Sequence, residues 1–152
     1  RAIHATSGQQ LAMAVVYYSP LQFLYWYDRP SDSRDEPELE FFDRVPTVWD
    51  ETKVLQGKIG EYITTARRKG DEWFVGVMNG LQPRTLDIPF NFLPAGKKYV
   101  AHIYRDGTMK TPTRTKVEVE TRTVDANTVL PAKLYGSGGL AIRLEPAEPG
   151  KR

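Results

Sequence analysis

The stretch Tyr62–Met78, which reads YITTARRKGDEWFVGVM, contains two runs of strand-forming residues on either side of a turn. The runs are Tyr62–Arg68 and Trp73–Met78, and both are rich in β-branched or aromatic residues. The turn between them, KGDE at 69–72, contains a glycine that can adopt the positive φ of a tight hairpin. We therefore predict an antiparallel β-hairpin in this stretch.

Further strands are predicted wherever apolar and polar residues alternate, because successive side chains of a strand point to opposite faces of the sheet. The alternating apolar residues are Leu86, Ile88 and Phe90; Val117 and Val119; and Leu140, Ile142 and Leu144. Lys98–Arg105 is another strand candidate, closed by Asp106-Gly107. We expect half-buried strands and a mainly β fold, an antiparallel β-sandwich of about seven or eight strands that begins at Phe41.

The glycine-rich segment 136–139, GSGG, raises the question of a phosphate-binding loop. A phosphate loop leads into a helix whose N-terminus holds the anion. Here the following residues, Leu140–Leu144, have the alternation of a strand. We therefore predict a hairpin at this position.

The N-terminal region has a helical period instead. Thr6 and Ser7 precede Gln9 and Gln10 at the spacing of a capping box. The helix that follows, Leu11–Tyr18, is apolar on nearly every face, so it requires burial on nearly all sides. A small sandwich offers no obvious place for it, and we expect the helix to pack against a larger neighbour.

The chain breaks after this first helix. Ser19-Pro20 favours the start of a second short helix through Leu21, Leu24 and Tyr25. Asp28–Glu40 is polar and contains prolines, so it is predicted to be a connector.

Composition excludes several kinds of function. The 152 residues include 21 basic and 19 acidic residues without a basic block, which is not the charge pattern of a nucleic-acid-binding protein. The absence of cysteine excludes disulfides, thiolate zinc sites and a cysteine nucleophile. His4 and His102 do not have a metal-binding spacing, and no uncharged run is apolar enough to predict a membrane span.

The most suggestive residues for chemistry lie in VPTVWDETKVL at 45–55. Asp50 and Glu51 are adjacent, so in a strand their carboxylates point to opposite faces and cannot form the facing pair of a glycosidase. Either carboxylate could act with a distant partner, or could be an exposed, locally paired group. Trp49 could be a platform for a sugar ring, or a residue packed at a domain joint.

Arg67-Arg68-Lys69 is interpreted as a solvated strand end. Two classes of function therefore stay open, a carbohydrate-binding module and a structural or interaction domain.

Three runs of sequence together resemble the C-terminal end of glycoside hydrolase family 97. They are GQQLAMAVVYYSPLQFL at 8–24, FFDRVPTVWDETKVLQGKIGEYITTARRKGDEWFVGVMNG at 41–80 and LDIPFNFLPAGKKYVAHIYRDG at 86–107. The family consists of calcium-dependent α-glucosidases and α-galactosidases, found mainly in Bacteroidetes. The resemblance covers most of the chain, from about Ser7 to Leu144.

The resemblance implies a domain organisation and a function. In the family, an N-terminal β-sandwich and a catalytic (β/α)8 barrel precede a small C-terminal sandwich for oligomerisation. Residues 1–40 would then hold the last barrel helix and the connector, and 41–152 the sandwich, with a loose tail at 146–152. Catalytic groups and calcium ligands would lie outside this chain. Trp49, Asp50 and Glu51 would be candidates for a contact with another domain or with sugar.

The resemblance also sets expectations for the whole enzyme. It would hydrolyse terminal α-glucosides or α-galactosides, whereas this chain alone would be inactive. The partners would be the remainder of the enzyme, further copies in a homo-oligomer and the oligosaccharide substrate. The location would be periplasmic or extracellular.

Overall fold

The computed structural model describes residues 6–17, 38–108, 110–111 and 116–147. Within these residues the chain forms two helices and eight strands. They are α1 (Ser7–Val16), α2 (Leu39–Arg44), β1 (Glu51–Lys58), β2 (Tyr62–Lys69), β3 (Glu72–Asn79), β4 (Arg84–Pro89), β5 (Tyr99–Asp106), β6 (Val117–Val124), β7 (Val129–Leu134) and β8 (Gly139–Pro146). None of the helices in these residues is long and apolar enough to cross a membrane.

The strands form two antiparallel sheets. The larger sheet has six strands in the order β1-β2-β3-β8-β5-β6, and the smaller sheet pairs β4 with β7. The predicted hairpin is the β2–β3 unit, in which Lys69 pairs with Glu72 and Gly70 has a φ of 58°. The predicted antiparallel β-sandwich and its number of strands are thus confirmed.

The main core lies between the two sheets. Alternate residues of the central strands β3, β5 and β8 face it, together with residues of β4 and β7 and of the loop that follows β4. The buried side chains include Trp73, Val75, Val77, Ile88, Phe90, Ala101, Ile103, Leu130, Leu134, Leu140, Ile142 and Leu144. The period of two in the sequence therefore identified the core-facing residues of β4 and β8 correctly. In β6 it did not, because Val119 is 41% exposed and Val117 is buried on the opposite face of the large sheet.

The glycine-rich segment 136–139 does not form the predicted hairpin. It follows β7, which pairs with β4 in the small sheet, and it leads to β8, which pairs with β3 and β5 in the large sheet. The segment therefore carries the chain from one sheet to the other. Turn residues indicate where the chain reverses, but they do not determine which strands pair afterwards.

Helix α1 packs on the face of the large sheet that lies opposite the small sheet, called here the outer face. Leu11, Ala14 and Val15 are fully or almost fully buried there, in a second cluster that includes Phe74 and Ala141. The expectation that the sandwich has no place for this helix is therefore wrong, because the outer face supplies one. The assignment of the helix to a barrel stays a prediction.

The same packing changes the burial of the central strand β8. Its first six residues are all buried, although alternation had predicted a half-buried strand. One face of β8 contacts the main core, and α1 covers the other face. A strand covered on both faces can contain an arginine only if that side chain finds partners, as Arg143 does.

Glycines allow the helix to lie directly on the sheet. A Cβ atom added at Gly76 of β3 would lie 2.8 Å from the Ala12 carbonyl oxygen, and one at Gly139 would lie 2.5 Å from the Gln9 Cα. Both distances are shorter than real contacts of Cβ atoms. The approach of α1 to β3 and β8 therefore requires glycine at both positions.

Parts of the N-terminal prediction lie outside the described residues. These parts are the second helix through Leu21, Leu24 and Tyr25 and residues 28–37 of the connector. The end of the predicted connector and the start of the predicted sandwich form α2, which was not predicted. Phe41 of α2 is fully buried in the outer-face cluster, so tertiary packing stabilises this six-residue helix.

Strand pairing continues into the segment that was predicted as a loose tail. Strand β8 ends at Pro146, and the Ala147 N–H donates a hydrogen bond to the Lys98 carbonyl. Residues 148–152 lie outside the described residues.

Candidate functional site

Trp49 lies on the outer face, half-buried against the cluster that holds α1 and α2. Its ring makes an edge contact with Phe74, with 5.3 Å between the centroids. The Arg67 guanidinium carbon lies 5.8 Å from the centroid of the Trp49 ring. Trp49 therefore packs against its own sheet, and a contact of Trp49 with sugar or with another domain stays a prediction.

Asp50 caps the β2–β3 turn. Its Oδ2 accepts a hydrogen bond of 2.8 Å from the Gly70 N–H, and Lys69 Nζ lies 3.6 Å from Oδ1. The hydrogen bond from Gly70 is the main cause that lowers the pKa of Asp50. A general acid requires a raised pKa, so this carboxylate is suited to fixing the turn and not to donating a proton.

Glu51 has a similar local role at the start of β1. Its Oε2 lies 3.3 Å from Arg68 Nε, and its Oε1 lies 3.4 Å from Lys53 Nζ. The hydrogen bond from Arg68 is the largest cause that lowers the pKa of Glu51. Arg68 Nη1 also lies 3.8 Å from Asp50 Oδ2, so Asp50 and Glu51 share Arg68 as a partner.

Arg67 is not the solvated strand end that the basic run 67–69 suggested. Its side chain is buried, and its Nη2 donates a hydrogen bond of 3.1 Å to the carbonyl oxygen of Val16. Val16 is the last residue of α1, where carbonyl groups lack partners within the helix and cations are favoured. Arg67 therefore fixes the C-terminal end of α1 to β2.

The other end of α1 is fixed by Asp106, which sequence reasoning had considered only as part of a turn. Its carboxylate accepts hydrogen bonds from Thr6 Oγ1 at 2.7 Å, Gly8 N–H at 2.8 Å and Gly139 N–H at 3.2 Å. An acidic side chain at a helix N-terminus also interacts favourably with the helix dipole. Asp106 therefore binds α1, β5 and β8 together.

Replacing Asp106 with alanine should lower the free energy of unfolding by about 2 kcal/mol, because two backbone N–H groups lose their acceptor. Amides of α1 should also exchange faster in hydrogen-exchange measurements. Asp125→Ala is a matched control, because Asp125 accepts the Asn127 N–H within a local turn away from α1. Equal protection of α1 in both variants would contradict this role of Asp106.

Arg143 is a buried charged group on the outer face, with only 2% of its side chain exposed. Its guanidinium meets three carboxylates: Glu145 at 2.9 Å, and Glu72 and Glu40 at 3.4 Å each. Glu145 is also 2.9 Å from His102 Nε2. The sequence signal was an arginine within the apolar run LAIRL, on the side of β8 that α1 and α2 approach.

Charge and burial shift the pKa values of two groups near Arg143, Glu145 and Tyr104. The hydrogen bond with His102 is the largest cause that lowers the pKa of Glu145, and Arg143 lowers it further. Burial, followed by the charge of Glu40, raises the pKa of Tyr104. The cluster is a charge-compensated contact that holds α2 to the sheet, since Glu40 belongs to α2.

The described residues do not suit a calcium site. They contain no group of three or more His, Asp or Glu side chains arranged to hold a metal ion. Glu40, Glu72 and Glu145 converge on the Arg143 guanidinium, whose positive charge would repel Ca²⁺. No chemical step is therefore assigned to calcium in this part of the chain.

Concave regions on the surface of the described residues include a groove and a smaller cavity. A groove of about 540 Å³ lies between the first turn of α1 and the β1–β2 hairpin, and Gln9, Val54, Ile63 and Met78 contribute to its walls. A cavity of about 300 Å³ lies beside Trp73 and is bounded by Glu51, Lys53, Arg68 and Lys97. Only 3% of Trp73 is exposed, so it does not offer a free ring face to a sugar.

Tyr62 does not present a free aromatic face either. It is half-buried, and the Arg84 guanidinium carbon lies 4.8 Å from its ring centroid. An exposed row of aromatics that includes Trp49 or Tyr62 is therefore not found among the described residues. The contacts instead define an accessory β-sandwich domain, in which ion pairs and caps fix two helices to one sheet.

Comparison with protein families identifies the family to which this domain belongs. Residues 48–145 match the family model described as "Glycosyl-hydrolase 97 C-terminal, oligomerisation". The chain belongs to this family, which confirms the resemblance stated from the sequence.

Curated relatives and solved structures agree with the assignment. The chain is 38% identical over 141 residues to the "Retaining alpha-galactosidase" of Bacteroides thetaiotaomicron, covering 92% of this chain and 21% of the relative. A "Glycoside Hydrolase Family 97 enzyme in complex with Acarbose" from Pseudoalteromonas sp. strain K8 superposes with a TM-score of 0.83 at 37% identity, covering 94% of this chain and 23% of that one. A crystal structure of a beta-arabinopyranosidase gives a TM-score of 0.70 at 27% identity, with 92% and 21% covered. The chain thus spans about a fifth of the length of these proteins.

Proposed function

We propose that this chain is the C-terminal, non-catalytic portion of a family 97 α-glycosidase. The whole enzyme hydrolyses terminal α-galactosides or α-glucosides, and the chain braces the catalytic part and contributes to a homo-oligomer. The name of the Bacteroides relative supports galactosides as substrates. Its name also supports a retaining mechanism, in which two carboxyl groups lie about 5–5.5 Å apart.

The anchoring of α1 is the observation that carries the bracing role. Asp106 fixes its N-terminal end, Arg67 fixes its C-terminal end, and Gly76 and Gly139 allow its backbone to lie on the sheet. Residues 1–40 are proposed to contain the last helix of the catalytic barrel. Helix α1 would then be that helix. A helix shared in this way would transmit the position of the sandwich to the barrel without a flexible joint.

The remaining parts of the proposal concern the whole enzyme. Its calcium is bound outside this chain, in the catalytic part, where a divalent cation can polarise the scissile linkage. Its location is the periplasm or the extracellular medium, and the proposed homo-oligomer forms from complete enzyme subunits.

The purified chain should show only background hydrolysis of nitrophenyl α-galactoside and α-glucoside, with or without calcium. The physical reason is that Asp50 and Glu51 are held as ionised partners of basic groups and the turn. The complete enzyme, assayed beside the chain, should turn over at least one of the substrates. Turnover by the chain that is lost in Asp50→Asn or Glu51→Gln would contradict the proposal.

Calorimetry with maltooligosaccharides and with α-galactosides distinguishes the proposed structural role from the alternative, a carbohydrate-binding module, because only the module would bind these sugars. No binding heat is expected for the chain. Binding that disappears in a folded Trp49→Ala variant would favour the alternative, because the change removes the ring face without disturbing a catalytic group.

A further inference from the structure

The tip of the β1–β2 hairpin carries an apolar surface that the described residues leave uncovered. Ile59 in the turn is fully exposed, and Val54 is 65% exposed. Val54, Ile63 and Met78 also line the groove of about 540 Å³ that lies behind the tip. We call Val54, Ile59, Ile63 and Met78 the hairpin patch. Apolar surface of this kind, bordered by charged residues, is typical of protein interaction sites.

The opposite edge of the large sheet has a different character. Strand β6 carries Glu118, Glu120 and Arg122 on one face, and Glu120 pairs with Arg105 at 2.8 Å. Charged side chains on an edge strand discourage association with other chains. Of the two sheet edges, only the one formed by β1 combines an apolar side-chain patch with a groove in the described residues.

The shape of the β1 edge favours side-chain packing over the addition of a strand. The pairing of β1 with β2 has a register shift between Val54 and Gln56. A bulge of this kind twists an edge strand and weakens it as a template for backbone pairing. A partner is therefore expected to contact side chains of the hairpin patch.

The hairpin patch offers both a protrusion and a groove to a partner. It contains a protruding side chain, Ile59, and an adjacent apolar groove on the same end of the molecule. In a two-fold symmetric contact the same surface is used twice, so the protrusion of each copy meets the groove of the other.

The charges at the rim also fit a second copy. Lys58 lies 3.2 Å from Glu61, and Glu61 lies 3.4 Å from Arg84. The rim thus contains both signs of charge, so a two-fold contact can bring Lys58 or Arg84 of one copy near Glu61 of the other. A rim with a single sign of charge would instead repel its own copy.

We propose that the hairpin patch is the surface through which a second copy of this chain docks, with Ile59 of each copy in the groove of the other. The proposal rests on the proposed role of the chain in a homo-oligomer, and it names the residues that would carry that role. The family description names oligomerisation but assigns no surface to it.

The test is the assembly state of the complete enzyme, measured by sedimentation or by light scattering over a dilution series. Ile59→Asp and Val54→Asp should each weaken assembly by at least about 30-fold, as burial of an unpaired carboxylate in an apolar contact predicts. Val119→Asp is the matched control, because Val119 is 41% exposed on the other edge strand and its variant should assemble like the wild type. Circular dichroism should show unchanged folding in all three.

Each outcome has a distinct meaning. Wild-type assembly of both Ile59→Asp and Val54→Asp would overturn the docking surface and leave oligomerisation intact. A wild-type enzyme that stays monomeric at every concentration would overturn the oligomeric role itself, and the docking surface with it. Unchanged assembly together with faster proteolytic separation of the sandwich from the catalytic part would show that the patch contacts the catalytic part instead of a second copy.

Discussion

Replacing Gly76 with valine should lower the free energy of unfolding of this chain by about 3 kcal/mol, at the upper end of the cost of overpacking. The new Cβ would lie 2.8 Å from the Ala12 carbonyl oxygen and 2.9 Å from the Val15 Cβ. These atoms belong to the helix backbone and to a buried side chain, so neither can move aside without lifting α1. The apolar groups of Leu11, Val15 and Phe74 would then lose part of their burial.

Denaturant unfolding followed by tryptophan fluorescence measures this effect. Gly57→Ala is the matched control, since Gly57 also lies in a strand but its added Cβ would only reach 3.4 Å from the Tyr62 carbonyl oxygen. The control should change stability by less than about 0.5 kcal/mol. A Gly76→Val variant as stable as Gly57→Ala would show that α1 does not rest on β3 in solution.

Replacing Arg143 with methionine should lower the free energy of unfolding by about 2–3 kcal/mol at pH 7, below the cost of breaking a fully buried ion pair. Methionine keeps the apolar length of the side chain but removes the charge. Glu40, Glu72 and Glu145 would then repel each other without a central cation. The cost is reduced because these carboxylates remain partly exposed, with 50%, 35% and 36% of their side chains accessible.

The effect should depend on pH in a defined direction. The pKa of Glu145 is lowered in the folded chain, chiefly by His102 and then by Arg143. Its contribution to stability is therefore present above its unfolded pKa of about 4.3 and is lost as the pH falls through its lower folded value. The difference between wild type and Arg143→Met should shrink as the pH falls through the folded pKa of Glu145, because a protonated Glu145 no longer attracts Arg143.

Urea unfolding at pH 7 and at pH 3 measures both parts of this prediction. Arg122→Met is the matched control, because Arg122 is 45% exposed and its pairing with Glu120, at 3.8 Å, is an exposed contact. It should cost less than about 0.5 kcal/mol at either pH. A difference between wild type and Arg143→Met that grows towards pH 3 would contradict the charge-compensated contact.

Much of the fold could be predicted from local sequence patterns, namely turn residues and the alternation of apolar and polar residues. The β2–β3 hairpin was predicted from two strand-forming runs and Gly70, and the core-facing residues of β4 and β8 were predicted from alternation. Both signals depend on the backbone geometry of a few neighbouring residues, which is why they could be interpreted without a structure. The resemblance to the family could also be recognised without a structure, because it lies in long runs of specific sequence.

The candidate site could be predicted only in part. Because Asp50 and Glu51 are adjacent, the sequence already excluded them as the facing carboxylate pair of a glycosidase. In the structure, Asp50 accepts a hydrogen bond from the turn and Glu51 pairs with Arg68. The roles of Arg67 and Asp106 were missed, because each depends on where α1 ends and begins relative to strands far away in the sequence.

The sequence by itself determined the positions of most strands, although not of β7, together with the mainly β class and the family. Only the tertiary structure decided that β7 pairs with β4, that β8 is covered on both faces and that α1 lies on the outer face of its own sandwich. The physical reason is the range of the interactions. Alternation and turns are set by neighbouring residues, whereas the place of α1 depends on the close approach of Gly8 and Gln9 to Gly139, which is 130 residues further along the chain than Gln9.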